Sequence, residues 1–142
     1  MSEQKASRFL LFTITGSTYA IDLHQLAEVV ELPPLSPIPR APAHFVGAMN
    51  SHGTIKPVLD LSLMVKRGSY SPGGKVLVLE DRLANLAILV DGVLSIASVE
   101  AMEREPASDD ELSDWIFTDG TQTIGLLALD RLLQRLEATI NG

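Results

Sequence analysis

Between Phe45 and Leu61 the chain reads Phe-Val-Gly-Ala-Met-Asn-Ser-His-Gly-Thr-Ile-Lys-Pro-Val-Leu-Asp-Leu, and no other stretch constrains the fold as tightly. Gly47 and Gly53 bracket a short apolar strand, and Gly53 permits a tight turn into a second strand, Thr54 to Leu59, that closes on Asp60. Upstream, Pro33, Pro34, Pro37, Pro39 and Pro42 punctuate residues 33–42. Their locked φ angles and missing N–H donors keep this connector out of any central strand, so it crosses a surface or a gap between two packed units.

The same strand grammar recurs along the chain. Phe9 to Thr15 is apolar with Thr alternation, Gly16-Ser17 supplies a turn, and Thr18 to Asp22 resumes an extended pattern. Leu23, Leu26, Ala27 and Val30 fall at helical spacing, which predicts a turn or two of helix before a Val29–Leu32 strand. Leu61 to Val65 predicts another helical turn, and residues 67–74 a Gly/Ser/Pro loop. Lys75 to Glu80, Leu86 to Asp91 and Val93 to Val99 read as strands whose continuous apolar character predicts burial on both faces. Residues 100–114 are acidic and irregular. A last hairpin, Trp115 to Thr118 and Thr123 to Leu129, leads into a helix from Asp130 to about Ile140. Leu132, Leu133, Leu136 and Ile140 form its apolar stripe, and Asp130 is its expected N-cap. The fold class is therefore mainly β, with short helices and a C-terminal helix.

Self-comparison adds a repeat. Ala20-Ile21-Asp22 and Leu89-Val90-Asp91 each end a hairpin 69 positions apart, and Val58-Leu59-Asp60 and Ala128-Leu129-Asp130 each end another 70 apart. Strand-then-polar patterns also match by chance, but the shared offset favours two similar β units built from successive halves.

Composition narrows the function classes. A 46% hydrophobic content with 5% aromatics and 20% charge describes a Val/Leu/Ile/Ala core in a chain that folds by itself. The net charge of −7, with basic residues scattered, argues against a phosphate-backbone partner and hence against nucleic acid. No cysteine is present for a disulfide framework or thiol chemistry, no apolar run approaches a membrane span, and residues 1–5 do not resemble a signal peptide. The expectation is a cytoplasmic protein with no membrane insertion: one domain over 7–140 after a flexible N-terminus at 1–6.

Candidate chemistry is sparse. Asp22, Asp60, Asp91 and Asp130 each follow an apolar strand directly, where Asp caps the next turn or helix; none has a neighbouring base or nucleophile in sequence. His24, His44 and His52 match no metal spacing and read as solvated, and residues 71–75 lack the Ser/Thr of a phosphate loop. No catalytic, cofactor or metal residue is expected. The acidic run at 108–114 reads as a solvated loop, and Trp115 as a core anchor or an exposed hot spot.

Phe45, Gly47, Asn50, Gly53, Pro57, Asp60 and Leu61 lie in an order that resembles the signature of the CheW family of bacterial chemotaxis coupling proteins. That signature is Phe-x-x-Gly-x-x-Asn-Leu-Arg-Gly-x-x-x-Pro-x-x-Asp-Leu, preceded by a Pro-rich link. Phe12 with Tyr19-Ala20-Ile21-Asp22, then Val90-Asp91-Gly92-Val93, and Leu129-Asp130 with Leu132-Leu133 extend the resemblance over residues 9–136. It implies two SH3-like five-stranded β-barrels packed on a common apolar seam. It also implies a non-enzymatic adaptor joining the cytoplasmic tip of chemoreceptors to the regulatory domain of a CheA-type histidine kinase, recruited to membrane receptor arrays.

By the same resemblance Glu28, with Leu26, Val29 and Val30 around it, matches a segment associated with docking receptor tips and the kinase domain; the bland reading of Glu28 is an exposed charge at a strand start. Ser51-His52 stands where the family has Leu-Arg. A largely neutral imidazole there replaces a five-donor guanidinium, so His52 marks a changed partner or a weaker contact. The competing readings are an adaptor for a non-chemotaxis phosphorelay, and a small β-barrel enzyme or ligand carrier.

Overall fold

The structure, a computed structural model, describes residues 8–64, 74–98, 103–106, 112–118 and 121–141. The expectation for residues 1–6, most of the 67–74 loop and most of the acidic 108–114 run lie outside these.

Eleven strands and one α-helix are found among the described residues. In chain order the strands are β1 (Arg8–Ile14), β2 (Ser17–Asp22), β3 (Leu26–Glu31), β4 (Phe45–Ser51), β5 (Thr54–Asp60) and β6 (Lys75–Leu79). They continue with β7 (Ala87–Val90), β8 (Gly92–Ser98), β9 (Glu103–Pro106), β10 (Ser113–Thr118) and β11 (Thr123–Leu127), and α1 (Leu129–Asn141) ends the series. They form a six-stranded sheet, β8-β1-β2-β11-β10-β9, and a five-stranded sheet, β3-β6-β7-β5-β4.

The two sheets exchange a strand. β3 follows the β1–β2 hairpin of the first sheet yet pairs with β6 of the second, and β8 follows the β6–β7 hairpin of the second yet pairs with β1 of the first. Each sheet then adds one parallel neighbour, β11 beside β2 and β5 beside β7. The halves thus share one strand arrangement, with β9 as an addition to the first sheet. The sequence offset that suggested this does not hold throughout. Ala20 pairs with Leu126, whereas Leu89 pairs with Asp60, so the ladder equivalent of Asp60 is Leu126 and not Asp130.

Alternation along β1 explains how one strand serves two interiors. Leu10, Phe12 and Ile14 join a large cluster with Ile21, Leu59, Leu77, Ile88, Leu132 and Leu136, which draws on both sheets and on α1. Phe9 and Leu11 turn the other way, into a small interior with Ala20, Phe117 and Ile124. The second sheet has its own small interior of Met49, Val58, Val76, Val78, Ala87 and Leu89. Each fully buried Leu, Ile or Phe contributes about 1.5–3 kcal/mol through the area it removes from water. The exchange therefore rests on the common seam.

Several local expectations change. The helix expected from Leu23 is only a 3-10 turn, Leu23–Gln25, in which Asp22 accepts from the His24 N–H at 2.8 Å. The β-branched pair Val29-Val30 finds a ladder against Leu77 and Val76, and that pairing outweighs the coincidental helical spacing. Burial on both faces holds for β7 and most of β6 but not for β8, an edge strand whose Leu94 and Ile96 are 56% and 50% exposed. Strand structure at β9 and at the start of β10 occupies part of the segment read as irregular. Asp130 lies inside the first turn of α1 rather than at its cap.

The proline-rich connector does not bridge the two sheets. It runs from β3 to β4, opposite edges of the second sheet, and Ser36 exchanges backbone hydrogen bonds with Ala48 of β4 at 2.9 and 2.8 Å. Gly47 permits this approach. Its φ is +152°, and a Cβ there would stand 2.8 Å from Leu35 Cβ and 2.9 Å from the Ser36 carbonyl.

Candidate functional site

The β4–β5 hairpin closes at Ser51 and Thr54 through two residues, His52 and Gly53, whose φ angles are 53° and 88°. Positive φ at both positions gives the turn that matches strand twist, and His is among the residues enriched in that region. Asn50 Oδ1 accepts from the Gly53 N–H at 2.8 Å and braces the turn.

This geometry carries the His52 ring across to the far edge of the same sheet. His52 Nε2 lies 2.9 Å from Glu28 Oε2 of β3, and Ser51 Oγ reaches the same oxygen at 3.5 Å. β3 and β4 stand at opposite ends of the strand order, so the contact shows the sheet curled into a barrel. The Glu28 side chain is 33% exposed and that of His52 is 81% exposed. The pair lies at the surface.

Along β3, Leu26, Glu28 and Val30 are half-buried while Ala27, Val29 and Glu31 face outward. Leu26 packs on the common seam and Val30 on the second sheet's interior. Of the candidate residues, then, Glu28 and His52 are brought together, Val29 faces outward on the same strand, and Leu26 and Val30 are turned toward the core. Sequence reasoning missed Ile55, 60% exposed beside the hairpin turn. An apolar residue in an apolar strand gives no signal of its facing.

Lys56 was missed too, although a lysine between Ile55 and Pro57-Val58-Leu59 is a visible break in pattern. Its side chain is only 4% exposed. The ammonium donates to Asp81 Oδ1 at 2.5 Å and to Asn85 Oδ1 at 3.1 Å, both in the loop between β6 and β7.

The aspartates behave as turn-formers. Asp60 Oδ1 accepts from the N–H and hydroxyl of Ser62 at 3.0 and 2.7 Å, and Asp91 Oδ2 accepts from the Thr15 N–H at 2.7 Å. Burial raises the Asp60 pKa above its ordinary value; the Ser62 hydrogen bonds oppose this, and the nearby Asp91 charge adds to it. Asp60 Oδ2 has no hydrogen-bond partner among the described residues.

His44 departs from the solvated reading. Its backbone carbonyl accepts from Asp60 N–H at 2.8 Å, and its ring sits 5.3 Å from that of Phe45. The Nε2 atom is buried with no partner among the described residues. Burial, followed by the positive charge of Arg135 on α1, lowers its pKa. Trp115 is half-buried on β10, and Asp114 beside it pairs with Arg131 of α1 at 3.1 Å. Among the described residues no group of three or more His, Asp or Glu side chains could hold a metal ion, and no helix is long and apolar enough to cross a membrane.

Two sheets that exchange a strand and share an apolar seam define a double SH3-like β protein. The chain belongs to the CheW-like domain family, whose model matches residues 8–137. It is 30% identical over 109 residues to the chemotaxis protein CheW of Klebsiella aerogenes, covering 75% of this chain and 66% of that one. It is 24% identical over 102 residues to the chemotaxis protein CheW of Rhizobium meliloti, covering 70% and 66%. The match thus spans slightly under two thirds of those relatives' length. The crystal structure of the scaffolding protein TtCheW from Thermoanaerobacter tengcongensis superposes with a TM-score of 0.73 at 21% identity, over 87% of this chain and 89% of that one. That likeness shows the fold.

Proposed function

We propose that this chain is a non-enzymatic adaptor that couples the cytoplasmic tip of chemoreceptors to the regulatory domain of a CheA-type histidine kinase. The observation that carries the reading is the surface pair Glu28–His52. It joins β3 to the β4–β5 hairpin across the sheet, and each of these two elements also carries an exposed large apolar side chain, Val29 and Ile55. Exposed apolar side chains on elements tied together at the surface suit protein docking. The mechanism is positional: binding shifts the kinase between conformations it already populates, with no chemistry in the adaptor. We place the domain at 7–140 and its working site in the cytoplasm at receptor arrays.

His52 in place of Arg favours a second reading, an adaptor of the same build serving a different phosphorelay whose partner has adapted to imidazole. Affinity capture from native lysate followed by mass spectrometry tests both. Co-purification of receptors with the kinase supports the first reading, and a kinase without chemoreceptors supports the second. Recovery of neither, with a bound metabolite instead, overturns the adaptor reading.

A further inference from the structure

The β6–β7 loop touches both the β4–β5 hairpin and the turn that feeds β3. On one side Asp81 and Asn85 hold the buried Lys56 ammonium, and Asn85 Nδ2 donates to the Ile55 carbonyl at 3.1 Å. On the other, Arg82 Nη2 donates to the His24 carbonyl at 2.7 Å, and the Glu80 N–H donates to the Gln25 carbonyl at 3.0 Å, both in the 3-10 turn that feeds β3. With the direct Glu28–His52 contact, these links close a ring from β3 to the hairpin, to the loop, and back to β3.

Stability alone gives little reason for a lysine here. Withdrawing an ammonium from water is costly, and buried ion pairs are commonly replaceable by apolar side chains of similar volume with no loss of stability. Methionine would fill the same space beside Met49, the cross-strand neighbour of Lys56. A lysine instead supplies directional hydrogen bonds, which methionine cannot, and these fix the loop relative to Ile55.

We propose that Lys56, through Asp81 and Asn85, is a positioning residue that locks the β6–β7 loop as a strut, and so sets the relative placement of β3 and the β4–β5 hairpin for partner docking. This inference rests on the adaptor reading for its consequence but not for its geometry. Lys56 itself stays out of contact with the partner, since its side chain is enclosed.

The test is Lys56→Met, with Asp81→Asn as a second variant, which keeps an acceptor oxygen for the ammonium but removes its counter-charge. Both are read by thermal melting, by amide hydrogen exchange at residues 24–28 and 52–55, and by binding to a purified chemoreceptor tip fragment and a kinase regulatory domain. The strut predicts an unchanged melting midpoint, exchange at least several-fold faster at 24–28 and 52–55 only, and about tenfold weaker binding for Lys56→Met, with a smaller effect for Asp81→Asn. Exchange unchanged in both variants overturns it, as does a general rise in exchange with a lowered midpoint, which would make Lys56 merely structural. If the unsubstituted protein binds neither fragment the adaptor reading fails, and the local exchange result alone upholds or overturns the strut.

Discussion

Glu28 and His52 meet with 2.9 Å between Oε2 and Nε2, which joins β3 and the β4–β5 turn from opposite ends of the strand order. A surface pair of this kind contributes little to folding, commonly about 0–1 kcal/mol. Its value lies in what it places side by side.

Glu28→Gln keeps an acceptor oxygen and removes the charge. The expected outcome is a melting midpoint close to that of the parent and weaker binding to the receptor tip or the kinase domain, measured by calorimetry. A large loss of stability with unchanged affinity would make Glu28 a fold residue.

His52→Arg replaces the imidazole by a permanent cation able to make charge-assisted bonds to Glu28. The variant is expected to fold normally and to bind a family receptor tip more tightly, unless the native partner is adapted to His52, in which case affinity for that partner falls. Ser51→Leu is a different matter. Ser51 is 7% exposed, and enlarging it overpacks the hairpin at about 1–3 kcal/mol, which urea denaturation measures directly. The family pair Leu-Arg is therefore best restored one residue at a time.

Gly47→Ala is expected to destabilise by at least about 1 kcal/mol in the same assay. The added methyl meets Leu35 and the Ser36 carbonyl, in a backbone region that favours glycine. It should also free the connector from β4, visible as faster amide exchange at Ala48.

His44 and Asp60 give opposite pH responses. Burial and Arg135 depress the His44 pKa, so the unfolded chain binds a proton that the folded one refuses; stability falls as pH drops below the ordinary value of 6.5. Burial raises the Asp60 pKa, so the folded chain holds a proton more readily; its contribution is present in acid and is lost as pH rises through the folded value. Melting curves between pH 4 and 8 for the parent, His44→Gln and Asp60→Asn separate the two. The first variant should flatten the acid-side loss, and the second should remove the opposing gain.

The sequence made local features legible and left non-local ones hidden. Gly53 announced its hairpin because the requirement for positive φ is met within two residues, and the Leu132/Leu136 stripe announced a helix because its period is local. The strand exchange could not be read that way, since nothing in Leu26–Glu31 or Gly92–Ser98 says which sheet will accept it. The helical spacing of Leu23, Leu26 and Val30 was accidental, and only the ladder to β6 showed it so. At the candidate site, Glu28 and His52 were visible singly through the family pattern, but their contact depends on barrel closure across residues far apart in the chain. His44 looked solvated because its burial depends on packing near Phe45 and α1.

The most direct test of the adaptor account is titration calorimetry of this protein against the regulatory domain of a CheA-type kinase, at low and at moderately high salt. An interface carried by apolar side chains and β-barrel surfaces predicts a complex at both, with at most a modest loss of affinity as screening increases. A complex that vanishes as salt rises would contradict that interface, and no complex at either salt would contradict the coupling role itself.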